Sequence, residues 1–207
     1  TTCKDKKVRV CDPRNSNSVA AAFDAHEGAK PQRSIWLPSK DWICTLGFGR
    51  QSERQIKVWD PRNLAEPIGV VEVDVAAGMF IPMYDDDTNV LYLAGKGDTS
   101  VKYYEFTDEA PHVFFLSAYS GSKPQKAACM LPKMAGDIMK CEVARVIRLV
   151  DDTLETVAMR VPRKVIEYFL TKGRKKKKKL IMSLAAQTYP FCLHSPPSPF
   201  FKNKKNG

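Results

Sequence analysis

The side chains able to carry nucleophilic, acid–base or metal chemistry are few and scattered along the 207-residue chain. The histidines (His26, His112, His194) and the cysteines (Cys3, Cys11, Cys44, Cys129, Cys141, Cys192) form no CxxC pair, no HExxH and no GxSxG. Structural zinc needs four such ligands at short paired spacings, and a nucleophile needs a base within hydrogen-bond reach, so neither chemistry is indicated. The run Asp85-Asp86-Asp87 lacks the alternating ligands and terminal glutamate of a calcium loop and is expected to be a solvated turn. Gly47-Phe48-Gly49 and Gly95-Lys96-Gly97 complete no phosphate-binding pattern and read as turns. No catalytic, cofactor-binding or metal-binding residue is therefore assigned, and no small-molecule substrate is expected. The cysteines are expected to be reduced and structural, with Cys11 and Cys44 acting as small hydrophobes within apolar runs.

Basic side chains could do a different kind of chemistry, the electrostatic attachment of an acidic partner. The formal net charge is +10. Its location limits that idea: residues 1–171 hold as many acidic as basic side chains, and all of the excess lies in residues 172–207, around the block Lys175 to Lys179. The body is neutral, while residues 165–207 read as a low-complexity, disordered basic tail. No apolar run reaches the length of a membrane span, and the opening Thr1-Thr2-Cys3 is neither Met nor an apolar leader. The expectation is a cytosolic fragment.

What positions the charges is a repeat. Asp5 to Asp12, Glu53 to Asp60 and Asp98 to Glu105 align without gaps, at offsets of 48 and 45 residues. In each, an acid (Asp5, Glu53, Asp98) precedes by six residues a Cys or aromatic (Cys11, Trp59, Tyr104), and a second acid follows, as Asp60 follows Trp59. Between them apolar residues alternate with Arg or Lys, the pattern of a strand with one buried face. A period of about 40 to 45 residues with this strand ending is that of WD-type β-propeller blades. The first acid is expected in the turn entering the strand, where it can accept backbone N–H groups. His26 is expected to join that acid's hydrogen-bond network, and Trp59 and Tyr104 to pack against the adjacent sheet. Further strands are expected at Ser34 to Leu37, Trp42 to Phe48, Ile68 to Val75, Gly78 to Tyr84 and Val90 to Ala94.

The segment Gly47 to Gln55 before the Trp59-Asp60 strand end, then Asp86 to Asp98, strongly resembles the coronins, WD-repeat proteins that bind actin filaments. Glu109-Ala110-Pro111, Leu131-Pro132-Lys133, Lys140 to Arg145 and Val161 to Lys164 extend the resemblance over about Thr2 to Lys164. It implies an all-β chain holding three to four blades of a seven-bladed propeller: blades in 1–106, completion of the last blade and an extension beneath the ring in 107–164, then the tail. It also implies a non-catalytic scaffold of the actin cytoskeleton in the cytoplasm, with F-actin as partner and the Arp2/3 complex and cofilin as partners of the full-length architecture. The coiled coil through which coronins oligomerise is expected to be absent, since no heptads follow Lys164. Candidate filament contacts are Lys6, Lys7, Arg9, Arg50, Arg54, Lys57 and Arg62. The alternative is a generic WD-repeat module whose tail binds nucleic acid or anionic membrane without specificity.

Overall fold

The computed structural model describes residues 1–3, 5–12, 14, 19–161 and 192–194. Strands β1 (Lys7–Cys11) and β2 (Val19–Asp24) pair as a two-stranded sheet. The second sheet is the meander β3 (Arg33–Leu37), β4 (Trp42–Phe48), β5 (Glu53–Trp59) and β6 (Gly69–Val75). The third repeats it with β7 (Phe80–Asp85), β8 (Val90–Gly95), β9 (Ser100–Phe106) and β10 (Val113–Ser120). The fourth holds β11 (Gln125–Met130), β12 (Glu142–Val150), β13 (Thr153–Arg160) and β14 (Cys192–His194). All pairings are antiparallel.

The period-two pattern of the sequence becomes burial on the sheets. Along β5, Ile56 and Val58 are fully buried while Gln55 and Lys57, on either side of Ile56, are half-exposed. Strand β8 is buried on both faces and serves two cores: Leu91 and Leu93 join the cluster shared with Leu37, Leu46 and Val58 of the second sheet, while Val90, Tyr92 and Ala94 join Val146, Val157 and Met159 of the fourth. A third cluster, with Val8, Phe23, Ile43 and Trp59, joins the first sheet to the second. Each large apolar side chain so buried contributes about 1.5–3 kcal/mol, which makes the faces between sheets the main source of cohesion. Hairpin tips fall where the backbone turns left-handed, at Asp41 (φ 55), Ser52 (φ 66), Asn89 (φ 55), Gly97 (φ 88) and Asp151 (φ 52). Asn, Asp and Gly tolerate that conformation better than other residues.

The expected strands are present with small shifts. The largest is at β7, which starts at Phe80 rather than Gly78, because the Gly78 carbonyl accepts a hydrogen bond from Arg54 of the second sheet. Residues 107–161 carry β10, which completes the third sheet, and β11 to β13 of the fourth. Most of 165–207, including the lysine block, lies outside the described residues, but Cys192–His194 pairs with β13. Cys44 is buried as expected, whereas Cys11 ends β1 exposed, beyond the part of the strand that the core covers; Cys3, Cys11, Cys44, Cys129 and Cys141 are free thiols.

Candidate interaction surface

The propeller-type repeat presents two ends, each built from hairpin turns. One carries the β4–β5, β8–β9 and β12–β13 turns together with the starts of β1, β3, β7 and β11; the other carries the β3–β4 and β7–β8 turns. Cross-sheet contacts hold both in register. At the second end Ser39 N–H donates to Asp86 (3.1 Å), Ser39 Oγ to Asn89 (2.5 Å), and Lys133 Nζ bridges Asp85 and Asp87 at 2.7 Å each. The Asp85-Asp86-Asp87 run is thus not simply a solvated turn: Asp85 is buried, and a lysine cation from the β11–β12 link neutralises it.

At the first end the repeat acids take three different partners. Asp5 accepts from Lys7 N–H (3.1 Å) and from the Arg9 guanidinium, which draws its carboxyl down to about 2. Glu53 accepts from Gln55 Nε2 (3.3 Å), and Asp98 receives Arg54 Nη1 (2.8 Å). The glycine pairs make room for this arrangement. A Cβ at Gly47 would strike the His26 ring, one at Gly49 the Glu53 carboxylate and one at Gly95 the Asp98 carboxylate.

His26 is buried in the seam between the first two sheets, with Nε2 3.0 Å from Thr45 Oγ1. Trp59 Nε1 donates to the same oxygen at 2.9 Å. Indole can only donate, so Thr45 Oγ1 accepts from Trp59, and its own proton lies within reach of both the Lys57 carbonyl (3.4 Å) and His26 Nε2. Burial, followed by the nearby Lys57 cation, pulls His26 down to about 4 and keeps the imidazole neutral at ordinary pH. His26 bonds to Thr45 and also meets Gln55, whose Nε2 donates to Glu53, so His26 reaches the acid through Gln55. Trp59 also packs on Phe23 with ring centroids 4.8 Å apart. Asp60 caps the turn after β5 by accepting from Arg62 N–H (2.9 Å). Tyr104 lies in the core of the next seam, where burial pushes its phenol up to about 12.

The candidate contact residues separate sharply. Lys6 and Arg50 are exposed and converge on Glu27, Lys6 Nζ on its carbonyl (3.3 Å) and Arg50 on its carboxylate, with exposed Lys7 beside them in the chain. Arg9 is occupied by Asp5, and Lys57 Nζ by the Ala25 carbonyl at 2.9 Å. Arg62 is exposed at the opposite end of β5. Arg54 is the correction: it is 2% exposed and unavailable to any partner. Its Nε and Nη2 grip Asp74 (2.5 and 2.6 Å), Nη1 reaches Asp98 and the Gly78 carbonyl (3.0 Å), and the guanidinium lies 4.1 Å over the Phe80 ring. Burial opposes its charge, but the hydrogen bonds to Asp74 and Asp98 outweigh that and stabilise the cation.

Several residues that matter to this arrangement escaped the repeat pattern: Thr45, Asp74, Lys102 and Arg148. Arg148 is fully buried, donating to Thr99 O (2.8 Å) and Glu155 (2.9 Å) across the third and fourth sheets. One signal was available. Arg54 shares the period-two phase of Ile56 and Val58, and Arg148 that of Val146 and Val150, which is the buried phase of each strand. Exposed Lys6, Lys7, Arg33, Arg50 and Lys96 sit at the first end beside exposed Asp5, Glu27, Asp151 and Asp152, and exposed Glu66, Asp86, Asp87, Asp108 and Glu109 sit at the second beside exposed Arg62, Lys133 and Lys140. Both signs occur at each end, in keeping with the charge balance of residues 1–171 as a whole.

No protein-family model matches the chain. Coronin-A of Dictyostelium discoideum is 44% identical over 164 residues, which cover 79% of this chain and 36% of that protein. The crystal structure of the WD40 domain from Toxoplasma gondii coronin superposes with a TM-score of 0.73 at 31% identity, over 79% of this chain and 42% of that one. The chain thus spans little more than a third of the length of the Dictyostelium relative.

Proposed function

The chain is a coronin homologue carrying a segment of the coronin WD-repeat propeller, and from that premise we propose that it acts as a non-catalytic actin-filament-binding scaffold of the cytoplasmic cytoskeleton. The observation that carries the reading is the similarity to coronins, and the exposed cluster of Lys6, Lys7 and Arg50 around Glu27 at the first end is the local basic surface that supports it. Actin filaments are acidic, and complementary potentials accelerate encounter and fix orientation more than they add raw affinity. Arg54 takes no part in the contact; by clamping the second sheet to the third it holds in place the turn that presents Arg50. Any link to the Arp2/3 complex or cofilin would follow from filament attachment.

The test is co-sedimentation of the intact chain with actin filaments over a salt series, beside a version in which Lys175 to Lys179 are replaced by serine, which keeps β14. The expected result is salt-sensitive pelleting in both. Absence of pelleting by a folded sample overturns the reading, and loss of pelleting in the lysine-replaced version alone assigns the binding to the lysine block.

A further inference from the structure

Resting on the filament-binding reading, we propose that Glu27 is the positioning residue of the contact cluster. It gathers Lys6 and Arg50 from two sheets into one two-pronged site for a carboxylate of an acidic protein surface. Glu27 belongs to the link between β2 and β3, and its neighbours on both sides are fixed. His26 is buried and bonded to Thr45; Gly28 is buried, and its N–H donates to the Phe48 carbonyl at 2.8 Å. A Cβ at Gly28 would lie 2.5 Å from that carbonyl oxygen, so the link passes close enough to β4 to require glycine. Pinned on each side, exposed Glu27 stands as a rigid post at the seam between the first and second sheets.

Both cations reach this post from fixed turns. Lys6 takes the left-handed conformation (φ 67), its carbonyl accepts from Gln32 Nε2 (2.6 Å), and its Nζ donates to the Glu27 carbonyl (3.3 Å). Arg50 lies in the β4–β5 turn, which Ser52 N–H closes on the Gly49 carbonyl (3.2 Å). Arg50 gives only its Nε to the Glu27 carboxylate, and its side chain stays 81% exposed. Its two terminal amino groups meet no acceptor among the described residues. Those groups and Nε make up the planar fork that engages carboxylates, so Glu27 holds the guanidinium without consuming every donor a partner needs. The charge of Glu27 also opposes an acidic partner. That partner's carboxylate would sit on the far side of the guanidinium, where water and salt screen the repulsion, whereas holding a rotamer-rich side chain in advance removes part of the ordering cost of binding. Pre-ordering therefore prevails.

The experiment is co-sedimentation of the intact chain with actin filaments at fixed salt, for Glu27→Ala and Glu27→Gln, each alone and combined with Arg50→Ala. Glu27→Ala removes the acceptor together with the charge and should weaken binding about three- to tenfold. Glu27→Gln keeps a side-chain oxygen for Arg50 Nε without the charge, and should bind at least as well as the unmodified chain. Once Arg50 is alanine, the loss caused by Glu27→Ala should vanish. Equal or tighter binding by Glu27→Ala, equal weakening in the Ala and Gln variants, or a loss that persists without Arg50 overturns the positioning role and leaves filament binding standing. No pelleting by the unmodified chain removes filament binding and the positioning role together.

Discussion

The second and third sheets solve one structural problem in two chemical ways. At matched register, Trp59 and Thr45 of the second sheet correspond to Tyr104 and Leu93 of the third. In the second sheet the seam toward its predecessor is an uncharged relay, Trp59 to Thr45 to His26. In the third, Leu93 cannot hydrogen-bond, and the polar contact moves to a charged cluster in which Arg54 and Lys102 converge on Asp74 and Arg54 also takes Asp98. Even the strand lysines follow this division: Lys57 ends on a backbone carbonyl, whereas Lys102 ends on the Asp74 carboxylate. A neutral relay costs little desolvation and depends on one proton being absent. A charged cluster tolerates ordinary pH but leaves stranded ions if one member is lost.

The largest expected effect breaks the charged seam. Arg54→Leu leaves Asp74 and Asp98 without their guanidinium and should cost about 3–5 kcal/mol in a urea titration. A loss below about 1 kcal/mol would place Arg54 in the class of surface pairs and remove the clamp from the account.

The next effect separates the seams by pH. His26 has a folded value of about 4 against an ordinary 6.5, so the unfolded chain takes up the proton first and stability falls as pH drops from 6.5 toward 4, by about 3 kcal/mol in all. For Asp74, burial alone would raise the carboxyl, but the bonds from Arg54 and Lys102 outweigh it and hold it below its ordinary 3.8. Its contribution is therefore intact above 3.8 and lost only as pH falls below that value. Urea midpoints across this range should decline between 6.5 and 4 in the unmodified chain and decline less in His26→Gln. Parallel curves for the two would contradict a buried neutral imidazole.

Smaller effects sharpen the same contrast. Thr45→Val preserves shape but strands the Trp59 N–H and His26 Nε2, and should cost about 1–3 kcal/mol, measured by the same titration. Leu93→Val, at the matching position, strands no polar atom, and its cost should stay near the about 0.5–1.5 kcal/mol of a lost methylene. Arg50→Ala at the surface should change stability by less than about 1 kcal/mol.

Much of this fold is legible in the residues. The alternation that ends in Trp59-Asp60, and its echoes at Cys11 and Tyr104, place three equivalent strands, because period-two burial is a local property of the chain. The acids before them mark the turns at one end. What they bond to is not legible: Asp5, Glu53 and Asp98 hold equivalent positions, yet the first two meet Arg9 and Gln55 of their own strands while Asp98 meets Arg54 of the preceding sheet, a partner that only the packing of the sheets supplies. Arg54 shows the cost of reading residue type before phase. Its charge suggests the surface, while its spacing to Ile56 and Val58 puts it in the core, and the spacing wins because Asp74 and Asp98 are there to receive it. Thr45 was hidden for the opposite reason, as a small polar residue inside an apolar strand whose role appears only once His26 and Trp59 are brought beside it.

The reading of the Lys6, Lys7 and Arg50 cluster as the filament contact is tested most directly on the turns at the two ends of β5. Arg50→Glu reverses charge within the cluster and Arg62→Glu does so at the opposite end, and neither residue is buried. In co-sedimentation with actin filaments at fixed salt, Arg50→Glu should lose most of the pelleted protein and Arg62→Glu should retain it. Equal loss in both, or loss in Arg62→Glu alone, would contradict the assignment.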